Sequence, residues 1–153
     1  MNYRKLVKEI RKKSFPEIKG RIWIVKIPFP IPGSGVLWLL PRINLLAIAS
    51  PCDKLNKKVV AGLMSHELSH FSLAQRKKWI YFYPHLIKYI FSSKYRIEEE
   101  RMADTLAIRK GYGEELIALK VKANKLLKNS RWEKFSDNYL TVSEVKEYMK
   151  KGR

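Results

Sequence analysis

The most constraining feature of the sequence is a pair of histidines inside a long apolar helical segment. Residues 56–76 contain no proline, and Gly62 is the only poor helix former among them. Within this segment His66, Glu67 and His70 form the pattern His-Glu-x-x-His. Apolar residues surround the pattern on nearly all sides of the predicted helix: Val59, Val60, Ala61, Leu63, Met64, Leu68, Phe71 and Leu73. Such a helix is buried, and its two histidines and its glutamate therefore need partners.

A metal ion is one such partner. Residues four apart share a helix face, so His66 and His70 can bind one Zn²⁺ between their imidazoles. Glu67 lies beside them, where its carboxylate can take a proton from a water that the metal activates. Two histidines bind zinc weakly, however, and a catalytic site needs a third protein ligand and an open position for water.

The segment of residues 98–104 supplies the best candidate for the third ligand. Glu100 and Asp104 lie one turn apart on a second predicted helix, so both can face the metal helix. We expect Glu100 to bind zinc and Asp104 to accept the outer N–H of a zinc-bound histidine, which fixes the tautomer of that ring. Glu98 and Glu99 are predicted to be exposed neighbours. The alternative interpretation of this segment is a solvated acidic face.

Two other sources of a third ligand are less favoured. A metzincin would have a glycine and a histidine where this chain has Leu73 and Arg76, which excludes that class. His85, the only other histidine, lies in the aromatic stretch 79–91, where we expect it to pack or stay exposed rather than bind metal. The His-Glu-x-x-His pattern also arises by chance, so the metal site depends on finding both motifs in one chain.

Together the two motifs resemble those of the gluzincin zinc metallopeptidases, in which His-Glu-x-x-His is followed by Glu-x-x-Ala-Asp. Residues 100–104 and 109–116 are similar to the catalytic domains of the CAAX prenyl proteases and the heat-shock protease HtpX. Residues 79–100 resemble the linker of the BlaR-like membrane peptidases. A chain this short with both motifs looks most like the minigluzincins, and the similarity covers roughly residues 40–127.

The resemblance implies a zinc metalloendopeptidase that acts on a peptide or protein. It makes His66, His70 and Glu100 the metal ligands and Glu67 the general base. It also implies a latent enzyme, because minigluzincins are held inactive through C-terminal segments. The oxyanion-stabilising residue stays open among three candidates: Tyr112, Tyr139 and His85.

Local patterns predict an α+β fold in a single domain of residues 1–153. A small three-stranded sheet is expected to pack on the buried metal helix and the second ligand-bearing helix, with further helices towards the C-terminus. The third strand, 43–49, would offer a free edge to an extended substrate. The predicted parts are a basic N-terminal helix (1–20), a catalytic core (21–128, with strands at 21–27, 36–40 and 43–49) and a C-terminal tail (129–153).

The tail is too apolar to remain a free extension. Its apolar residues are Trp132, Phe135, Tyr139, Leu140, Val145, Tyr148 and Met149. They must be buried on this chain or on a second copy, in a homodimer that exchanges the C-terminal helix. We expect the tail to cover the active-site cleft and to be inhibitory. The alternative is a tail that packs on the far side of the domain.

The chain carries 32 Lys and Arg against 14 Asp and Glu, a net charge of +18. This charge suits nucleic acid, an anionic membrane or acidic substrates, although a Lys-rich source proteome would explain it equally well. The alternative function is a basic nucleic-acid-associated protein or a SprT-like DNA-associated protease, whose third ligand is a histidine. No zinc-finger, helix-turn-helix or RNA-binding signature supports nucleic acid as the partner.

The remaining composition bears on location. Cys52 is the single cysteine, which excludes a disulfide framework and fits a reducing compartment. The start of the chain lacks a secretory signal core, and no window reaches the ~18 apolar residues of a spanning helix. We therefore expect a cytoplasmic protein with peripheral membrane contact through residues 2–13 and 79–91.

Overall fold

The computed structural model describes residues 1–29, 34–37, 44–76, 82–130 and 133–152. The described helices are α1 (Tyr3–Ser14), α2 (Lys57–Arg76), α3 (Phe82–Phe91), α4 (Ser93–Arg109), α5 (Gly113–Leu127) and α6 (Val142–Lys151). The described strands are β1 (Ile22–Ile27), β2 (Ser34–Leu37) and β3 (Asn44–Ala49). Short 3-10 turns cover Ser50–Lys54 and Glu133–Asn138. This mostly helical fold with a small sheet agrees with the predicted α+β class. Predicted strand residues 38–40 and 43, and residues 79–81 of the aromatic stretch, lie outside the described ranges.

β3 is the central strand. It pairs in parallel with β1, where Ile24 lies opposite Leu46, and antiparallel with β2, where Val36 lies opposite Leu46. The predicted free edge of β3 is therefore wrong. The physical reason is that β3 is apolar and almost wholly buried, as a strand with neighbours on both sides usually is.

α2 lies at the centre of the domain and packs against α1, α4, α5 and β2. Its close approach to α5 depends on Gly62, because a Cβ atom there would lie 2.3 Å from the backbone oxygen of Glu115. The side chain of Asn56 accepts the Val59 N–H at 2.9 Å and so caps the start of the helix. Asp53, another capping-type residue shortly before α2, instead accepts hydrogen bonds from the Tyr3 hydroxyl and the Lys26 ammonium.

α1 docks on this core through its apolar stripe, as expected for a short amphipathic helix. The buried residues of the stripe are Tyr3, Leu6, Val7 and Ile10. Only the basic side of α1 therefore faces solvent.

A second apolar cluster joins α4, α5 and the C-terminal segment. Its buried members are Ala107, Leu116, Leu140 and Val145. A capping box, in which the side chains of Thr141 and Glu144 accept each other's backbone N–H, begins α6. The described part of the tail is thus packed on its own chain. Within the described ranges, no helix has both the length and the apolar character needed to cross a membrane.

Candidate metal centre

The structure brings the three predicted ligands together. His66 and His70 lie one turn apart on α2, and Glu100 reaches them from α4. The Nε2 atoms of the two histidines are 3.1 Å apart, and they lie 3.0 Å (His66) and 3.3 Å (His70) from Oε2 of Glu100. All three side chains are buried. This cluster is the set of described residues that could hold a metal ion.

The spacing of these atoms fits a small metal ion. Ligands at about 2.0–2.1 Å from a tetrahedral ion lie about 3.3 Å from one another, close to the three observed separations. Nδ1 of His66 lies 2.8 Å from Oδ1 of Asp104, so in the neutral ring Nδ1 donates to that carboxylate and Nε2 keeps its lone pair. Two imidazole nitrogens and a carboxylate oxygen at these distances repel one another unless a proton or a metal cation lies between them. Two histidines and a carboxylate are also a donor set that zinc accepts.

Without a metal ion, the pKa values of His66 and Glu100 also show that the cluster attracts positive charge. Burial favours the neutral ring of His66, but hydrogen bonds and charges from Asp104 and Glu100 outweigh burial and raise the pKa of His66 to about 10. Burial would raise the pKa of Glu100, yet the two imidazoles hold it well below its usual range. In the metal-free chain, a proton on the cluster therefore supplies part of the positive charge that a bound cation would supply.

Asp104 occupies the predicted position beside His66 and is fully buried. In addition to the His66 ring, its carboxylate accepts two donors that the sequence analysis missed. Nζ of Lys120, from α5, lies 2.6 Å from Oδ2, and the backbone N of Leu140 lies 3.0 Å from the same oxygen. Asp104, the predicted outer partner of His66, thus connects α4 with three other parts of the chain.

Glu67 is buried next to His66 on α2. Two phenols lie within reach of its charge. Burial, followed by the negative charges of Glu100 and Glu67, raises the pKa of both Tyr89 and Tyr139. The predicted general base, the predicted ligand carboxylate and these two tyrosines therefore lie near one another.

α3 supplies the second group of contacts that the sequence analysis missed. The Tyr89 hydroxyl donates to Oε1 of Glu100, the oxygen that does not face the histidines. His85 lies outside the ligand cluster, with its Nδ1 2.5 Å from the Tyr95 hydroxyl. Glu98 is exposed as predicted, but the predicted exposure of Glu99 is wrong. Glu99 is buried because α3 covers its side of α4, and Nε2 of His85 lies 3.8 Å from its carboxylate.

Tyr139 brings the C-terminal segment against the metal centre. Its ring centroid lies 5.5 Å from that of His66, and Nζ of Lys120 lies 4.4 Å from the Tyr139 centroid. Of the other candidates for oxyanion stabilisation, His85 contacts Tyr95, and Tyr112 packs 6.4 Å from the ring of Phe15. Tyr139 is thus the candidate whose ring contacts a predicted ligand.

We compared the chain with protein-family models, curated proteins and solved structures, and none of them matches it. The gluzincin resemblance therefore stays a prediction that rests on the two motifs. The geometry by itself establishes a buried cluster of His66, His70 and Glu100 that could hold a metal ion.

Proposed function

We propose that the chain is a zinc-dependent metalloendopeptidase that hydrolyses peptide bonds in a peptide or protein substrate. The observation that supports this function best is the buried His66–His70–Glu100 cluster with Glu67 beside it. A zinc ion held there would supply Lewis-acid chemistry, since zinc polarises a carbonyl and lowers the pKa of water to about 7.

The residues at and around the cluster have separate roles in the proposed reaction. His66, His70 and Glu100 would hold the ion, and Asp104 would keep the His66 ring in the tautomer that leaves Nε2 free to bind. Glu67 would accept a proton from the attacking water and pass it to the nitrogen of the leaving amine. A carboxylate suits this role because it can carry the proton between the two steps without leaving its position on α2.

The test is to measure zinc content and casein hydrolysis in the same preparations. Glu67→Ala should keep one zinc per chain and lose at least about 100-fold in hydrolysis, because Glu67 moves protons and does not bind the ion. Glu100→Ala should lose the zinc, whereas Glu98→Ala, an exposed neighbour, is the matched control and should behave like the parent. Unchanged turnover in Glu67→Ala would contradict the mechanism. Tight, salt-sensitive DNA binding without zinc would instead support the nucleic-acid alternative.

We also propose that the full chain is latent and that the C-terminal segment is inhibitory. The support is the position of Tyr139, whose ring lies against the ring of His66. In a latent chain Tyr139 blocks the site and does not stabilise the oxyanion, so Tyr139→Ala should keep its zinc and hydrolyse casein faster than the parent does. The control is Tyr148→Ala, which removes an exposed tyrosine of α6. A zinc-loaded Tyr139→Ala chain that is no more active than the parent would count against latency.

A further inference from the structure

Asp104 is the point at which four parts of the chain meet. Its carboxylate is carried by α4 and accepts from His66 on α2, Lys120 on α5 and the Leu140 amide just before α6. One oxygen serves the histidine, and the other takes both remaining donors. Since a carboxylate can rotate about its bond to Cβ, two donors on Oδ2 fix the direction in which Oδ1 points.

Lys120 is an unusual residue to find in this place. It is almost fully buried, and its ammonium lies between the Asp104 carboxylate and the ring of Tyr139. Removing a lysine and a carboxylate from water costs about as much as their pairing returns, so apolar residues of the same volume would usually stabilise a fold at least as well. The pair therefore needs a reason beyond stability, and the metal ligand on the other side of Asp104 provides one.

We propose that Lys120 and the Leu140 amide are positioning groups of the metal site, which orient the Asp104 carboxylate so that His66 presents its Nε2 lone pair to the ion. The proposal rests on metal binding at the proposed site and not on peptide hydrolysis. It also makes Leu140 part of the metal centre, although it follows Glu100 by forty positions. Removal of the whole tail should then weaken metal binding as well as uncover the site.

The first experiment measures zinc affinity of the full metal-free chain by competition with a chromophoric chelator. Lys120→Met should bind zinc about 10-fold more weakly, at the lower end of the usual cost of losing an outer partner of a metal ligand. Lys120→Arg keeps a charged donor and should stay within about 3-fold of the parent. Lys125→Met removes an exposed lysine of the same helix and should have no effect. If Lys120→Met does not fold without metal, Lys120→Gln is titrated in its place and should also bind more weakly.

A double-mutant cycle shows whether Lys120 acts through Asp104. In an Asp104→Asn background, Lys120→Met should change zinc affinity by less than about 2-fold, because its partner is already lost. An equal loss in both backgrounds would overturn the proposal, since Lys120 would then affect zinc binding by a route that does not pass through Asp104. Parent-like zinc affinity in Lys120→Met, or an equal loss in Lys125→Met, would overturn it too.

The Leu140 amide can be tested with two substitutions at one position. Leu140→Ala and Leu140→Pro both shorten a buried side chain, but only proline removes the N–H. Zinc should bind several-fold more weakly to Leu140→Pro than to Leu140→Ala, and equal affinities would remove the amide from the proposal. If the zinc affinities change as expected in a chain without peptidase activity, this inference holds and the proposed function fails. If the chain hydrolyses casein but the zinc affinities do not change as expected, the proposed function holds and this inference fails.

Discussion

Two flanks of the metal centre support the two carboxylates of α4 in different ways. The C-terminal flank comprises α5, residues 139–140 and α6, and it supports Asp104. The α3 flank comprises α3 alone, and it supports Glu100 through the hydroxyl of Tyr89. The C-terminal flank is built around a buried apolar cluster, whereas α3 packs on α4 and leaves its outer face in solvent.

This difference separates two kinds of support. On the C-terminal flank, Asp104 is fully buried and each of its partners is held by a packed element, so no group can move without disturbing the core. The α3 flank leaves its outer face in solvent, and its contacts with α4 include hydrogen bonds from Arg96 to the carbonyl oxygens of Tyr89 and Ile90. We therefore expect losses on the C-terminal flank to cost more than losses on the α3 flank.

The largest effect should come from the contact that places α5 on α2. Gly62→Ala puts a methyl group against the backbone oxygen of Glu115, and backbone cannot move aside as a side chain can. We expect the metal-free chain to lose about 2–3 kcal/mol of unfolding free energy, measured in urea, despite the better helix propensity of alanine. Gly113→Ala is the control, because the three atoms nearest to its Cβ would all belong to the flexible side chain of Met149. Parent-like stability in Gly62→Ala would show that α2 and α5 can move apart at little cost in unfolding free energy.

The next prediction compares the two flanks directly. Asp104→Asn should weaken zinc binding about 10–100-fold, because the outer partner of His66 is lost inside the core. Tyr89→Phe should cost less, about 3–10-fold, since α3 has one face in solvent and a water could replace the Tyr89 hydroxyl at Oε1 of Glu100. Both affinities can be measured by chelator competition. A Tyr89→Phe chain that binds zinc as weakly as Asp104→Asn would show that the α3 flank is equally rigid.

The sequence predicts the parts of the site that follow helix geometry. His66 and His70 are four residues apart, as are Glu100 and Asp104, so each pair shares a face whatever the rest of the fold does. Which elements pack against those faces depends on the tertiary structure. This is why the burial of Glu99 and the central place of β3 were missed, since neither the position of α3 nor the order of the strands leaves a local pattern.

Lys120 did leave a signal in the sequence. It falls on the apolar stripe of α5, one turn after Leu116 and three residues before Ala123, whereas Lys122 and Lys125 fall elsewhere. A lysine inside an apolar stripe needs a buried partner, and Asp104 was the carboxylate with an unassigned oxygen. Tyr89 left no such signal, because it lies in a stretch that is rich in aromatic and apolar residues.

A smaller effect is expected at the rim of the C-terminal flank, where Glu144 of α6 pairs with Arg101 of α4. Hydrogen bonds from the Thr141 amide and from Arg101 lower the pKa of Glu144 to about 2. A lowered pKa stabilises the fold above the unfolded value near 4.5, and this contribution is lost as the pH falls towards 2. At pH 7, Glu144→Gln should lower the unfolding free energy by about 0.5 kcal/mol.

The pH dependence distinguishes this pairing from a general charge effect. The stability curves of the parent and of Glu144→Gln should converge between pH 4.5 and 2, measured by thermal unfolding at each pH. Glu147→Gln removes an exposed glutamate of the same helix and controls for the loss of one negative charge. A constant gap between parent and Glu144→Gln across this range would mean that the ion pair does not couple α6 to α4.

The smallest effect concerns the outer face of the α3 flank. Its exposed apolar residues recur at helical spacing: Tyr83, Ile87, Ile90 and Phe91. The basic side of α1 faces solvent elsewhere on the domain, and its apolar stripe is buried. If the chain adsorbs to anionic membranes, α1 can therefore contribute only charge, at about 1 kcal/mol per lysine or arginine near the surface, and α3 must contribute the apolar contact.

We expect weak adsorption to vesicles containing phosphatidylserine, detected by co-sedimentation at low salt and decreasing as salt is added. Replacing Ile87 and Phe91 together by serine should reduce the bound fraction several-fold, because two exposed apolar side chains can no longer enter the interface. Val121→Ser removes an exposed apolar side chain of α5 and should change little. Adsorption that is absent even at low salt, or that Val121→Ser reduces equally, would leave the exposed face of α3 without a role at membranes. The two flanks would then differ in how they pack on α4, and membrane binding would not distinguish them.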